Sequence, residues 1–359
     1  MGVPAPGLKG GPPTHLPYLV QYFADDNSFD IKTFYYGSRN HAAHESGISK
    51  ISNNLIILSQ FIKLVITYKP DIIHINSAFD KRSIVRDVPF SIISKFLRKS
   101  LIFKIHGSHH ELLFTDSKIM RLLIRIYFWG ANKVGVLSEY EKNEFIQQFG
   151  NHKKLVVVKN IVRQNFKTES LHGTIKKYDA LFVSRIEKGK GLEDLIMSIP
   201  KIVTNIPNFL VAVAGTGSNL ESCKKLAITL GVQQHIVWLG HIKNNMLSEI
   251  FDQSKMFVFT SHFPEGMPMS MIEAMLNGLP VVTTKNRFAV SYLKEPDNII
   301  FVEKNDPNDL AERIIWLINN SSLWEKMKMN NIDFLRNFSK EQIGQEFSFI
   351  YREMGIKNL

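Results

Sequence analysis

The 359-residue chain is poor in cysteine and has no long apolar run. Its one thiol, Cys223, cannot form an internal disulfide or a cysteine-based zinc site, which excludes a disulfide-stapled secreted protein and favours a reducing cytoplasm. The most apolar stretch, Leu55 to Tyr68, contains Ser59, Gln60 and Lys63 and is shorter than the ~20 residues of a membrane span. The first twenty residues lack the apolar centre of a signal peptide.

Acidic residues are scarce in the first half of the chain. Residues 1–165 contain 22 Lys and Arg against 12 Asp and Glu, whereas residues 166–359 contain 22 against 21, within a net charge of +11. A basic half beside a neutral half indicates that one domain meets an anionic partner, which could be a membrane surface, a phosphorylated substrate or nucleic acid. Nucleic acid is not expected, because no motif combines aromatic and basic residues for its recognition.

Short apolar strands alternate with amphipathic helices, which is typical of a parallel α/β sheet. The predicted strands are Ile31–Tyr36, Asp71–Asn76, Leu101–His106, Lys133–Leu137, Leu155–Val158, Ala180–Val183, Leu210–Ala214, Ile236–Leu239, Met256–Phe259, Val281–Thr283 and Ile299–Val302. We expect two doubly wound domains, residues 1–165 and 166–339, with a last helix at about 340–359 packing back on the first. Two such domains imply a cleft between them, which is the default ligand site.

The start of the chain departs from the usual order of strand, Gly-rich turn and helix in a doubly wound domain. A turn at Gly10-Gly11 and a helix from about Thr14 to Phe23 are predicted, but no strand is expected before them. We therefore expect that the first strand of the N-terminal domain is missing, and that the natural protein starts ~8–15 residues upstream or the chain is a truncated product.

A pair of glutamates follows the predicted strand Met256–Phe259, at the carboxyl edge of its sheet. Glu265 lies in the loop, a helix is predicted to begin near Pro268, and Glu273 lies inside that helix. The amides at a helix start attract phosphate, and carboxylates accept hydrogen bonds from hydroxyls, so a ligand with both groups would suit this loop. The spacing of the two glutamates alone is more typical of a capped loop with solvated side chains.

Two further polar loops are expected at the same sheet edge. Arg185 and Lys190 follow the first strand of the second domain, and Gly215-Thr216-Gly217 follows the next strand. Two cations at this position could neutralise a diphosphate leaving group, although a solvated basic turn would have the same residues. The paired glycines by themselves indicate only a tight turn.

Taken together, these motifs resemble those of a family 4 glycosyltransferase, a retaining enzyme of GT-B fold, over essentially the whole second domain. The resemblance implies that Arg185 and Lys190 grip the donor diphosphate, that Glu273 binds the ribose hydroxyls, and that Glu265 contacts the donor sugar. The donor-binding set that it implies is Gly10, Gly11, Gly215, Gly266, Met267, Pro268, Met269 and Glu273. The family often has an aromatic residue and a second glycine where Met267-Pro268 stand here, which leaves the sugar open.

In the first domain the resemblance is weaker and rests on Gly10-Gly11, His74, His106-Gly107, Ser138 and Asn160. It implies that His106 faces the donor sugar near the reacting carbon, so the implied catalytic set is His106, Arg185, Lys190 and Glu265. It also implies front-face departure and attack, with the leaving phosphate helping to deprotonate the acceptor.

No metal or other cofactor is expected. The sequence has no D-x-D motif to hold a metal on the diphosphate, and Arg185, Lys190 and the helix start can take its place. His109 and His110 follow His106 closely, but no carboxylate pattern accompanies them, and we interpret them as polar loop residues. His15, on the first helix, could face either solvent or the cleft.

The segment Lys118–Trp129 combines apolar residues with Arg121 and Arg125, which share one helical face. It could lie on an anionic membrane, or it could be a buried helix with one solvated stripe, which is the interpretation we favour.

The sequence thus predicts a cytoplasmic hexosyltransferase-type enzyme, peripheral at the inner face of the membrane. Its predicted partners are a nucleotide diphosphate sugar donor, a glycan or lipid-linked acceptor in surface polysaccharide biosynthesis, and an anionic membrane surface. The alternatives are a non-catalytic GT-B binding partner and a sugar-nucleotide epimerase of GT-B shape.

Overall fold

The computed structural model describes residues 1–4, 11–36, 47–150, 152–162 and 175–355. The chain divides into two compact units, Met1–Arg163 with Phe338–Leu359, and Gln164–Asn337. We call these unit 1 and unit 2. Both are α/β units whose strands run parallel.

Helices and strands alternate along the chain. In order they are β1 (Gly2–Pro4), α1 (Gly11–Asp25), β2 (Phe34–Tyr36), α2 (Gly47–Tyr68), β3 (Ile72–Ser77), α3 (Lys81–Phe96), β4 (Ser100–Ile105), α4 (His110–Leu113), α5 (Lys118–Gly130), β5 (Lys133–Val136), α6 (Glu139–Phe149), β6 (Leu155–Val157), β7 (Tyr178–Val183), α7 (Leu192–Asn205), β8 (Val211–Ala214), α8 (Leu220–Thr229), β9 (Ile236–Gly240), α9 (Asn244–Asp252), β10 (Ser254–Phe259), α10 (Met269–Leu276), β11 (Val281–Thr284), α11 (Arg287–Tyr292), β12 (Ile299–Val302), α12 (Pro307–Ile318), α13 (Ser321–Leu335) and α14 (Lys340–Glu353). All eleven predicted strands are confirmed, with ends that shift by up to three residues.

The start of unit 1 corrects one prediction, because Gly2–Pro4 is itself a strand. It pairs in parallel with β2, with Gly2 opposite Phe34, and the Asn76 side chain on β3 donates a hydrogen bond to the Gly2 carbonyl at 2.7 Å. Glycine and proline are uncommon inside strands, which is why the sequence predicts no strand before the turn at Gly10-Gly11. A Cβ on Gly2 would lie 2.9 Å from the ring of Tyr36, so packing against this ring explains a glycine within a strand.

The rest of unit 1 is a four-stranded parallel sheet, in the order β3-β4-β5-β6, with helices packed on it. The strands β3 to β5 are almost entirely buried, which is expected of a parallel sheet covered on both faces. Helix α14 packs on α1 through a second apolar cluster, which includes Leu16, Leu19, Phe23, Ile343, Phe347 and Ile350.

Helix α5 only partly matches the interpretation we favoured. It buries Ile124, Tyr127 and Phe128 against the sheet, as a core helix does. Its outer face, however, exposes Leu122 and Trp129 together with the arginines, so the exposed stripe is apolar as well as basic. No helix within the described ranges combines the length and the apolar character that crossing a bilayer requires.

Unit 2 is a six-stranded parallel sheet in the order β12-β11-β10-β7-β8-β9. Its strands, counted along the chain, therefore stand in the order 6-5-4-1-2-3, which is the doubly wound arrangement. The winding reverses between β7 and β10, which are hydrogen-bonded neighbours. Ligands of such sheets bind outside the carboxyl ends of the strands at this reversal, so the loops after β7 and β10 are the expected ligand site of unit 2.

Candidate functional site

The loops after β7 and β10 bring two of the predicted residues into direct contact. The Lys190 Nζ lies 2.6 Å from Glu265 Oε1, and both side chains are largely but not fully buried. The Ser261 hydroxyl donates a second hydrogen bond, of 2.8 Å, to the same carboxylate oxygen. Residues 75 positions apart thus form one charged pair at the point where the sheet reverses its winding.

Backbone contacts hold the two loops against each other. The Thr260 hydroxyl donates to the Gly191 carbonyl at 2.7 Å, and the His262 amide donates to the Gly189 carbonyl at 2.9 Å. Gly191 has a φ of +84°, and a Cβ on it would overlap the carbonyl of Thr260. Only glycine fits this position. Because it has no side chain, the two loops come close enough for Lys190 to contact Glu265.

A histidine–aspartate pair that the sequence analysis missed fastens the same loop to α7. The His262 Nε2 lies 2.6 Å from Asp194 Oδ2, in the first turn of the helix, and the aspartate is buried. Lys304 donates to the His262 carbonyl at 2.9 Å. Nothing in the sequence pairs positions 194 and 262, so this contact could only be found from the fold.

Phe263 and Pro264 occupy the next positions of the loop. The Phe263 ring lies against Gly189, and its centroid is 5.1 Å from the Lys190 Nζ, within the range of a cation–π contact. The buried Arg287 donates to the Pro264 carbonyl at 3.0 Å. Arg287, which the sequence analysis also missed, stabilises the loop through this hydrogen bond.

Helix α10 begins where it was predicted to begin. Pro268 precedes its first residue, Met269, and Gly278, with a φ of +74°, follows its end. The first amides of an α-helix have no acceptor within the helix, so this end carries partial positive charge. Gly266, Met267 and Pro268 are buried in front of it, whereas Met269 and Glu273 are half-buried.

The two glycines after β8 have a packing role. A Cβ on Gly215 would overlap the Ser184 carbonyl, and one on Gly217 would overlap the Ile186 carbonyl. The loop after β8 therefore packs directly on the loop after β7, next to Arg185. The side chain of Arg185 is exposed at this edge of the sheet.

In unit 1, the ring of His106, which follows β4, is held by two asparagines, one near the end of β3 and one after β6. Its Nε2 lies 2.6 Å from the Asn76 Oδ1, and its Nδ1 lies 3.2 Å from the Asn160 Oδ1. Because the Asn76 amide nitrogen donates to Gly2, its oxygen faces the ring and Nε2 carries a proton. Asn160 was named by the resemblance, whereas Asn76 was missed.

Two other first-domain residues of the resemblance have structural surroundings. His74 is buried, and its Nδ1 lies 2.6 Å from the Tyr351 hydroxyl. Removal from water lowers the pKa of this histidine to about 3. Ser138 caps α6 by accepting a hydrogen bond from the Glu141 amide. His74 thus links β3 to α14, and Ser138 stabilises the start of its own helix.

The other predicted residues lie away from these contacts or outside the described ranges. Gly10 lies outside the described residues, as does the side chain of His15, and Gly11 is the first residue of α1. His109 and His110 are exposed at α4. Among the described residues, no group of three or more His, Cys, Asp or Glu side chains could hold a metal ion, and metal independence stays a prediction.

Known proteins similar to this chain agree on the class of enzyme. Residues 164–334 match the sequence profile described as "Glycosyl transferases group 1". The chain is 26% identical, over 79% of its length and 76% of the other protein, to an uncharacterized glycosyltransferase of Methanocaldococcus jannaschii. It is 25% identical to the poly(ribitol-phosphate) alpha-N-acetylglucosaminyltransferase of Staphylococcus aureus, over 85% of this chain and 63% of that protein.

The chain is a glycosyltransferase. Solved structures show its fold to be GT-B. Anabaena Alr3699/HepE in complex with UDP superposes with a TM-score of 0.77 at 16% identity, covering 98% of this chain and 99% of that one. A glycosyltransferase from Rickettsia africae gives 0.72 at 18% identity, over 92% of this chain and 86% of that one.

Proposed function

We propose that this glycosyltransferase is a retaining, metal-independent enzyme of family 4 that uses a nucleotide diphosphate sugar as donor. The observation that carries the proposal is the contact of Lys190 with Glu265 where the unit 2 sheet reverses its winding, followed by the start of α10. A cation, a carboxylate and a helix N-terminus within one pair of loops suit a ligand that has phosphates and hydroxyls.

Lys190 can serve the donor without leaving Glu265. An ammonium group has three N–H donors, of which Glu265 takes one, so two remain for diphosphate oxygens. Arg185 and the first amides of α10, from Met269 on, would add further positive charge to the leaving group. Preorganised donors of this kind stabilise the charge that develops as the sugar–phosphate bond breaks, and one such contact contributes on the order of 10²–10³ in rate.

The two glutamates would bind hydroxyls. Glu265, fixed by Lys190 and Ser261, would accept from the donor sugar, and Glu273 would accept from the ribose. The resemblance also implies a role for His106, which would face the sugar near the reacting carbon. In a retaining transfer the sugar–phosphate bond breaks on the face that the acceptor attacks, and the acceptor proton passes to the leaving phosphate.

The relatives guide the choice of substrates. Structures of Anabaena Alr3699/HepE contain UDP, UDP-glucose, or UDP with glucose, and similar proteins of S. aureus act in poly(ribitol-phosphate) glycosylation and capsular polysaccharide biosynthesis. We therefore propose UDP-sugars as donors and a glycan or lipid-linked acceptor in surface polysaccharide biosynthesis. We place the enzyme in the cytoplasm, at an anionic inner membrane face, with no role for nucleic acid.

The test compares Lys190→Ala with Lys188→Ala, which removes an exposed lysine from the same loop. Donor binding is measured by thermal shift with UDP-glucose and UDP-N-acetylglucosamine, and turnover is measured as UDP release with EDTA present. Loss of 10²–10³ in turnover for Lys190→Ala alone is expected. Equal turnover of the two variants would refute the site. An epimerised sugar nucleotide formed without acceptor would indicate that the protein is an epimerase. Donor binding without turnover would indicate a non-catalytic binding partner. A product whose anomeric configuration is inverted, as seen by NMR, would refute the retaining mechanism.

A further inference from the structure

Unit 1 exposes an apolar and basic surface that the donor site does not use. Helices α3 and α5 pack side by side, and the Ser91 hydroxyl of α3 donates to the Ile126 and Tyr127 carbonyls of α5 at 3.1 and 3.0 Å. We call the solvent side of this helix pair the α3–α5 face. Its exposed apolar residues are Val85, Phe96, Ile119, Leu122 and Trp129, and its exposed basic residues are Lys95, Arg98, Lys118, Arg121 and Arg125.

The apolar side chains of this face are unusually open to solvent. The exposed fractions are 76% for Phe96, 71% for Ile119, 58% for Leu122 and 49% for Trp129. The Phe96 and Trp129 rings meet edge to face, with centroids 6.5 Å apart, so the two helices contribute to one patch. Large apolar groups that cluster on a surface mark an interaction site more often than isolated ones do.

Positive charge lies among these apolar groups. Lys118, Leu122, Arg125 and Trp129 recur along α5 at intervals of four, three and four, which places them on one stripe. The Lys95 Nζ of α3 lies 5.6 Å from the centroid of the Trp129 ring.

Neither helix exposes a carboxylate. Asp87 is the one acidic residue within residues 81–96 and 118–130, all of which are described, and it is buried and paired with Arg86 at 2.6 Å. Two acids flank the helices: Asp80, which caps the start of α3 and is half-buried, and the exposed Asp116, which precedes α5 and lies 3.7 Å from Arg121. The exposed charges that the two helices themselves carry are therefore all positive, and they lie among apolar side chains.

We propose that the α3–α5 face docks on an anionic membrane surface. Apolar tips would enter the boundary between headgroups and acyl chains, Trp129 would lie at the interface, and the lysines and arginines would contact lipid phosphates. A second copy would place the same positive charges against each other, since the shared patch of a symmetric dimer faces itself. A nucleic acid has phosphates that could bind the lysines and arginines, but its backbone would not cover the apolar side chains of Phe96, Ile119 and Leu122.

This inference deepens the proposed function, because it rests on an acceptor that is held at the membrane. Helices α3 and α5 would bring unit 1 to such an acceptor. Vesicle binding, however, needs neither donor nor acceptor, so docking and glycosyl transfer can fail separately.

The experiment is co-sedimentation with vesicles of phosphatidylcholine, with and without about 30 mol% phosphatidylglycerol. The charge variant is Lys118→Gln/Arg125→Gln, and its control is Lys224→Gln/Lys225→Gln on α8, which removes the same net charge from unit 2. The apolar variant is Phe96→Ser/Trp129→Ser, and its control is Phe349→Ser, an exposed aromatic residue on α14. Thermal unfolding verifies that all variants fold.

The wild type is expected to bind only the anionic vesicles and to dissociate from them at about 1 M salt, where charges are screened within ~3 Å. The charge variant should bind on the order of 30-fold more weakly, from about a fivefold loss per basic residue. The apolar variant should lose at least about tenfold, and both controls should bind like the wild type.

Equal binding to neutral vesicles, or equal losses in variant and control, would overturn the inference. So would a dimer in solution that the apolar variant dissociates, because a second copy would then cover the face. UDP-glucose thermal shifts on the same variants separate the two proposals. Vesicle binding without any donor binding would refute the proposed function and leave the docking face standing.

Discussion

Replacing Gly191 by alanine tests the contact on which the donor site depends. This glycine has a φ of +84°, and an added Cβ would overlap the Thr260 carbonyl. An L-residue in this conformation costs about 1–2 kcal/mol, overpacking costs about 1–3 kcal/mol, and loss of the Thr260–Gly191 hydrogen bond costs about 1 kcal/mol. We expect Gly191→Ala to lower the free energy of unfolding of unit 2 by about 3–6 kcal/mol, and its Tm by roughly 10–20 °C.

The matched control is Gly231→Ala. Gly231 also lies in unit 2 with a positive φ, of +65°, but no atom of the described residues lies within 4 Å of an added Cβ. Only the conformational cost of about 1–2 kcal/mol remains, or roughly 4–6 °C. Calorimetry gives the Tm values, and UDP release should fall by at least about 10² in Gly191→Ala alone, because Lys190 and Glu265 separate. Equal losses of stability in the two variants would refute the close approach of the loops.

Two further predictions concern buried polar groups. His262→Ala should lower the Tm of unit 2 by about 4–8 °C, because it leaves the buried Asp194 carboxylate without its 2.6 Å partner. In the double variant His262→Ala/Asp194→Ala, the loss of Tm should be much smaller than the sum of the two single losses. Additive losses would contradict the pairing. Burial lowers the pKa of Lys104 to about 7, so the unfolded chain holds one more proton than the folded one between about pH 7 and the ordinary lysine pKa. The free energy of unfolding should therefore rise with pH across that window, by up to about 1.4 kcal/mol per pH unit. Urea titrations at several pH values should show a smaller rise for Lys104→Met. The same rise in the variant as in the wild type would contradict the lowered pKa of Lys104.

Periodicity and the order of elements were readable in the sequence, because a parallel sheet buries short apolar strands between helices. The predicted strands of unit 2, and a helix starting near Pro268, depend on local residue patterns, and the structure has both. The first strand was missed for the same reason. Gly2 and Pro4 have turn propensity, and only the packing of Tyr36 and the pairing with Phe34, far along the chain, make them a strand.

The site itself was only partly readable. Lys190 and Glu265 were named from motifs, yet their direct contact follows from the order of the strands, which local patterns do not encode. Asn76, Asp194 and Arg287 were missed because each acts through a partner that is distant in sequence. Such supporting residues carry no motif of their own and can be recognised only once the fold is known.

Net charge proved a poor guide to the donor site but a useful one to the outer surface. The unit that carries Lys190 is almost neutral in sequence, although its proposed ligand is a diphosphate. A few placed charges suffice there, because Glu265 and Ser261 fix Lys190 at a partly buried point and α10 adds its own N-terminal dipole. The excess of lysine and arginine lies in residues 1–165 instead, where the α3–α5 face spreads it over two helices without an exposed carboxylate. Dispersed charge of this kind attracts an extended anionic surface, whereas a single anionic ligand needs the fixed geometry of unit 2.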